Sequence, residues 1–152
     1  MLCSHVVKAE VVELNWYDLV PEEEIEYVRE SVRRQNQLGR HDESDTPVGE
    51  QDFLGSVRPE LNNQQVKIPG FVIPIEGTST SVKEFLLVPF YGACIHVPPP
   101  PQNQIIHVVM DDFQEIRGMW EVVYVTGEMK TESLSHDLAQ VGYRINGSEL
   151  HR

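Results

Sequence analysis

The chain has 152 residues, enough for one hydrophobic core and short of two, and 40% of them are apolar, an ordinary fraction for a globular domain. Twelve Lys and Arg against 24 Asp and Glu leave a net charge of −12, which excludes attraction to a nucleic-acid backbone or an anionic bilayer and favours cationic partners, metal ions included. No run approaches the roughly 18 apolar residues of a membrane span, residues 1–20 lack the basic and apolar regions of a signal peptide, and two cysteines, Cys3 and Cys94, exclude a disulfide framework.

Trp16, in Leu14–Pro21, reads as a packing anchor ahead of the first regular element. Pro21–Gly39 predicts a helix: Pro21 suits the first turn, and Glu22, Glu23 and Glu24 complement its positive end. Arg29, Arg33 and Arg34 lie towards the negative end, and Gly39 supplies a stop. Ile25, Val28 and Val32 form one narrow apolar stripe, so the helix docks on one side as a lid or brace. Arg40–Gly55 crowds Asp, Ser, Thr, Pro and Gly together and predicts a flexible loop.

Short β-rich stretches follow at Gln65–Ile68, Phe71–Ile75, Phe85–Val88, Ile105–Met110, Trp120–Val125 and Gly142–Ile145. Breakers separate them: Pro69-Gly70, Gly77, Pro89, the proline run, Gly118 and Gly127. Strands without intervening helices predict a mainly β fold, a small closed or partly open OB-like or SH3-like barrel with an N-terminal helix, with a two-sheet sandwich as the alternative. The expected layout is an N-terminal segment 1–55 carrying helix 21–39 and the flexible loop, a barrel domain 56–147, and a tail 148–152.

The stretch that carries chemistry is Glu84–Gln104. If Cys94–His96 is extended, alternation places thiol and imidazole on one face, with Ile95 turned away. Pro98, Pro99, Pro100 and Pro101 form a stiff polyproline II wall without backbone donors, while Gly92 and Ala93 leave space beside the thiol. The expectation is a preformed, partly exposed pocket rim. Three readings of the pair compete. A soft or borderline metal ion, zinc or copper, takes thiolate and imidazole, with His107 and the carboxylates Glu84, Asp111 and Asp112 as candidates to complete its shell. A Cys–His nucleophile pair would use the imidazole to raise the thiolate fraction, although no orienting Asn or Asp is identifiable. The structural reading is a buried thiol and a hydrogen-bonded histidine that fix the proline loop. Asn103 and Gln104 are expected to bond backbone groups that the prolines leave unpaired, and Asp111-Asp112 to form a solvated turn. Phosphate-cradling loops, dinucleotide fingerprints, Gly-x-Ser-x-Gly turns and His-Glu-x-x-His helices are all absent, so the common enzyme classes lose support.

Val66–Pro74, Glu84–Pro89, Gly92-Ala93-Cys94-Ile95-His96-Val97, Pro98–Pro101 and Asn103-Gln104 together resemble the bacterial domain-of-unknown-function family 3299, over about Trp16–Ile145. Cys94 and His96 match its signature. The resemblance implies a periplasmic or lipid-anchored envelope protein, an accessory to a transport system, some members being linked to metal supply. The combined reading is a non-catalytic envelope binding module. It holds a metal ion at Cys94, His96 and His107 or docks a transport partner at a rim of Tyr91, Pro98–Pro101, Asn103 and Gln104. The alternatives are a peptide- or protein-docking scaffold without metal and a thiol-dependent enzyme.

Overall fold

In the structure, a computed structural model, residues 9–38, 51, 55–95 and 98–152 are described. The predicted stop at Gly39 and nearly all of the predicted flexible loop lie outside them. The barrel strands are β2 (Gln65–Gly77), β3 (Ser81–Val88), β4 (Ile106–Glu115), β5 (Val123–Lys130) and β8 (Tyr143–His151). Short strands β1 (Val12–Glu13), β6 (Leu134–Ser135) and β7 (Gln140–Val141) complete the set among the described residues. β2, β3 and β4 form an antiparallel meander, β8 runs parallel to β4 and antiparallel to β5, and β5 returns to β2. The sheet therefore closes into a five-stranded Greek-key barrel of OB-like kind, as the strand pattern predicts.

Closure depends on β2, which pairs with β5 over Gln65–Gly70 and with β3 from Phe71 onwards. Pro69-Gly70 was expected to separate two strands, yet both halves belong to one strand of 13 residues. A proline is tolerated in a strand where its nitrogen faces away from the ladder. The Pro69 carbonyl, which points to the same side as its nitrogen, accepts the Trp16 indole N–H at 2.8 Å instead of bonding β5. At Gly70 a Cβ would meet Leu87 Cγ at 2.6 Å, so glycine admits the close crossing at which β2 changes partner.

Three further boundaries differ from expectation. Asp111 and Asp112 continue β4 rather than forming a turn, because that strand goes on pairing with Ser81 and Val82. Gly127, read as a breaker, lies within β5 at a register shift, where Asn146 O and Gly147 Cα of β8 leave no room for a side chain. Residues 148–151, read as a tail, are the second half of β8 and pair with β5.

Alternate residues of the strands fill the barrel, among them Val66, Ile68, Phe85, Leu87, Val108, Val125, Met129 and Ile145. The N-terminal segment is tied to this core. Leu14 N–H bonds Lys67 O, and Trp16 packs against the core. The buried Tyr143 hydroxyl donates to Leu19 O at 2.6 Å and accepts Arg58 N–H at 2.7 Å. Burial pushes the Tyr143 phenol up to about 12, although the Arg58 N–H bond and charge oppose the shift. After Pro21 a 3₁₀ turn at Glu22–Glu24 leads into helix α1 (Ile25–Leu38). Its buried stripe is Val28, Ser31 and Gln35, with Ile25 and Val32 half-buried, so two polar residues occupy a face for which the sequence offered an apolar one. Among the described residues no helix is long and apolar enough to cross a membrane.

Candidate functional site

The run Phe85-Leu86-Leu87-Val88 is buried throughout, so β3 is covered on both faces. Phe85 and Leu87 point into the barrel. Leu86 and Val88 point outward into a second apolar cluster with Ile73, Ala93, Cys94, Ile105, Ala139 and Val141. Part of the β3–β4 connection and the β6–β7 ribbon therefore pack on the outer barrel wall. OB-like barrels commonly bind ligands on the outer face of their second and third strands, here β3 and β4. In this chain its own loops occupy part of that face.

Cys94 lies at the centre of this packing, 2% exposed. Its φ of +64° is the left-handed conformation, two residues after Gly92 at +89°, in a turn where Ile95 N–H bonds Gly92 O at 3.2 Å. The extended geometry from which a same-face thiol and imidazole were expected is therefore not adopted at Cys94, and the alternation argument fails there. His96 lies outside the described residues. The thiol is free, and desolvation pushes it from an ordinary 9.0 up to about 12. At neutral pH it is protonated and packs as a small hydrophobe, which disfavours it as a nucleophile.

The expected proline wall is mostly interior. Pro99, Pro100 and Pro101 are buried and Pro98 is half-buried, so of the predicted rim only Tyr91, 57% exposed, stands well clear of the surface. Glutamine side chains serve the run. Gln35 Nε2 of α1 donates to Pro99 O at 2.9 Å, and Gln51 Nε2 donates to Pro100 O at 2.7 Å. Asn103 and Gln104 are buried structural residues, but they bond Ser56 O and Trp16 O rather than proline carbonyls. Each of these side-chain amides donates to a backbone carbonyl that lies far away in sequence.

His107 faces the outer side of β4, in register with Leu86 and Arg144, and its Nε2 lies 2.7 Å from Glu84 Oε1. That contact explains a nearly buried histidine in an apolar strand. Asp111 and Asp112 are exposed on the far half of β4. Among the described residues, no three His, Cys, Asp or Glu side chains come together in a group that could hold a metal ion.

Beside the Cys94 turn an apolar cavity of about 180 Å³ is lined by Phe71, Val72, Ile73, Val88, Tyr91, Gly92, Ile95 and Met119. The Tyr91 ring meets Phe71 edge-on at 6.4 Å, and Tyr91's exposure opens the space to solvent. Trp120, Val122 and Tyr124 are also exposed, on the turn and first residues leading into β5. Of these only Tyr91 was singled out from the sequence as a rim residue. The legible signal was the unbroken apolar run 85–88, which demands a cover on the outer wall and therefore a seam between cover and barrel.

The sequence profile of a family described as "Protein of unknown function (DUF3299)" matches residues 16–152. The chain is also similar to a DUF3299 family protein from Pseudomonas aeruginosa PAO1, known from a crystal structure at 2.45 Å resolution. The two share 31% identity over 94% of this chain and 96% of that one, with a TM-score of 0.71. No curated protein matches.

Proposed function

This chain belongs to the DUF3299 family of proteins of unknown function, and from that premise we propose that it is a non-catalytic binding module of the bacterial envelope, which captures an apolar side chain of a partner protein in the seam beside Cys94. The observation that carries this reading is the cavity of about 180 Å³ between β2 and the turn bearing Tyr91 and Ile95. It is comparable in size with the ~150 Å³ apolar space that admits a benzene ring. An apolar pocket at a surface opening, edged by an exposed tyrosine, has the character of an anchor site for a partner's aromatic or aliphatic residue. The net charge of −12 favours a partner with basic residues around that anchor. An envelope transport protein is the partner that the family resemblance implies, and the envelope location belongs to the same proposal.

In this reading Cys94 fastens the cover and binds nothing. A zinc or copper version would need further ligands beside the sulfur, and among the described residues no three His, Cys, Asp or Glu side chains form such a group.

Site-specific photo-crosslinking in cells tests the pocket. A photoreactive residue in place of Tyr91 is expected to give a discrete protein adduct that Met119→Trp, which fills the cavity, suppresses. The same group in place of the exposed Asp112 is expected to give none. Adducts of equal yield from both positions, or an adduct indifferent to Met119→Trp, would exclude the pocket as the docking site.

A further inference from the structure

The two sides of Pro21 are held very differently. Before it, Leu19 is fully buried and Val20 is 2% exposed, and the Tyr143 hydroxyl pins the Leu19 carbonyl to β8. After it, Glu24 Oε2 accepts Ser56 N–H at 2.9 Å, and among the α1 residues whose burial is described Val28 is the only apolar one fully buried. Ser31 and Gln35 are buried beside it and Ile25 and Val32 half-buried, and the outward face carries exposed pairs, Arg29–Glu26 and Arg33–Glu30. What α1 does hold is the proline run, through Gln35 Nε2 to Pro99 O. That run is covalently continuous with the turn whose residues Tyr91 and Ile95 line the cavity.

We propose that α1 is a releasable clamp, hinged at Pro21, which tightens the β3–β4 connection when docked and loosens the Cys94 turn when it swings away. The inference rests on the pocket reading for its biological use, since a loosened turn changes access to the pocket. Its mechanics stand independently. A helix docked through one fully buried valine, the half-buried Ile25 and Val32, two buried polar side chains and the Arg29 guanidinium over the Tyr17 ring detaches at a free energy below that of the barrel, because local opening is governed by the apolar area and hydrogen bonds lost in that step. An isolated helix of 14 residues is marginal in water, so release and fraying occur together.

Hydrogen exchange on the intact chain, followed alongside alkylation of Cys94 by a maleimide, tests the clamp. In the wild type, α1 amides are expected to exchange at least ~100-fold faster than the central amides of β5 and β8. Gln35→Ala, which removes one buried hydrogen bond, should accelerate both α1 exchange and Cys94 alkylation by about tenfold while leaving β5 and β8 unchanged. Ser31→Ala replaces a buried hydroxyl residue with a better helix former and should slow both. It keeps the test decisive if Gln35→Ala proves too unstable. Protection of α1 equal to that of the barrel, or α1 exchange that changes while Cys94 alkylation does not, would overturn the proposal. Crosslinking from position 91 reports on the pocket alone, so failure of either idea is seen separately.

Discussion

Replacing Cys94 with alanine separates its packing role from its titration. At pH 7.5 the thiol is protonated in both folded and unfolded chains, so Cys94→Ala removes only buried contacts of one sulfur and should cost about 1 kcal/mol. At high pH the balance changes. The folded thiol stays protonated up to about 12 because it is desolvated, whereas the unfolded thiol ionises from an ordinary 9.0. A raised folded pKa means that the stabilisation is complete below pH 9 and is lost progressively as pH climbs towards 12. Each pH unit in that window removes ~1.4 kcal/mol, so by pH 10.5 the wild type has lost ~2 kcal/mol through this group, a loss that Cys94→Ala escapes. Urea denaturation of both proteins at pH 7.5 and 10.5 reads the difference. Wild type should be the more stable at pH 7.5 and the less stable at pH 10.5. Stability differences that stay constant across this range would refute the buried, neutral thiol, and with it the argument against nucleophilic chemistry at Cys94.

Tyr143→Phe leaves the buried Leu19 carbonyl and the partly buried Arg58 N–H without their shared partner. The expected loss is ~2–6 kcal/mol, at ~1–3 kcal/mol for each unsatisfied group, read from the urea midpoint at unchanged m-value. A loss under ~0.5 kcal/mol would show that the hydroxyl does not tie the N-terminal segment to β8. Gly127→Ala sets a Cβ at 2.3 Å from Asn146 O and 2.8 Å from Gly147 Cα, both backbone atoms that can yield only by moving β8. Thermal denaturation should show at least ~3 kcal/mol of destabilisation, at the upper end of overpacking costs, and a wild-type melting temperature would contradict the β5–β8 register.

The barrel was legible in sequence because it rests on local rules. β-rich stretches marked the strands β2, β3, β4 and β5, and punctuation by Gly77 and Pro89 bounded the β2–β3 hairpin. The helix start after Pro21 followed from local charge and proline placement in the same way. Errors arose where one residue type has two uses. Pro69 reads as a breaker in sequence, yet it causes no break in a strand that carries its nitrogen on the unladdered side. Gly127 reads as a turn, yet it serves a close backbone approach. Asp111 and Asp112 read as a solvated turn, yet an exposed strand edge accepts carboxylates equally well.

The candidate site was legible only as a location. Sequence alone drew attention to the segment from Tyr91 to Gln104 and to Cys94 within it, because a thiol, small residues and four consecutive prolines constrain the chain locally. The tertiary structure decided how those residues are used. A left-handed turn at Cys94 buries the thiol instead of presenting it, Gln35 and Gln51 arrive from 64 and 49 residues away to hold the proline carbonyls, and Glu84 pairs with His107 across β3 and β4. Local propensity is written in neighbouring residues and can be read from them. Burial, and with it the protonation of the thiol and the choice between rim and core, depends on which distant surfaces the closed barrel brings against the loop, and one-dimensional spacing does not contain that distance.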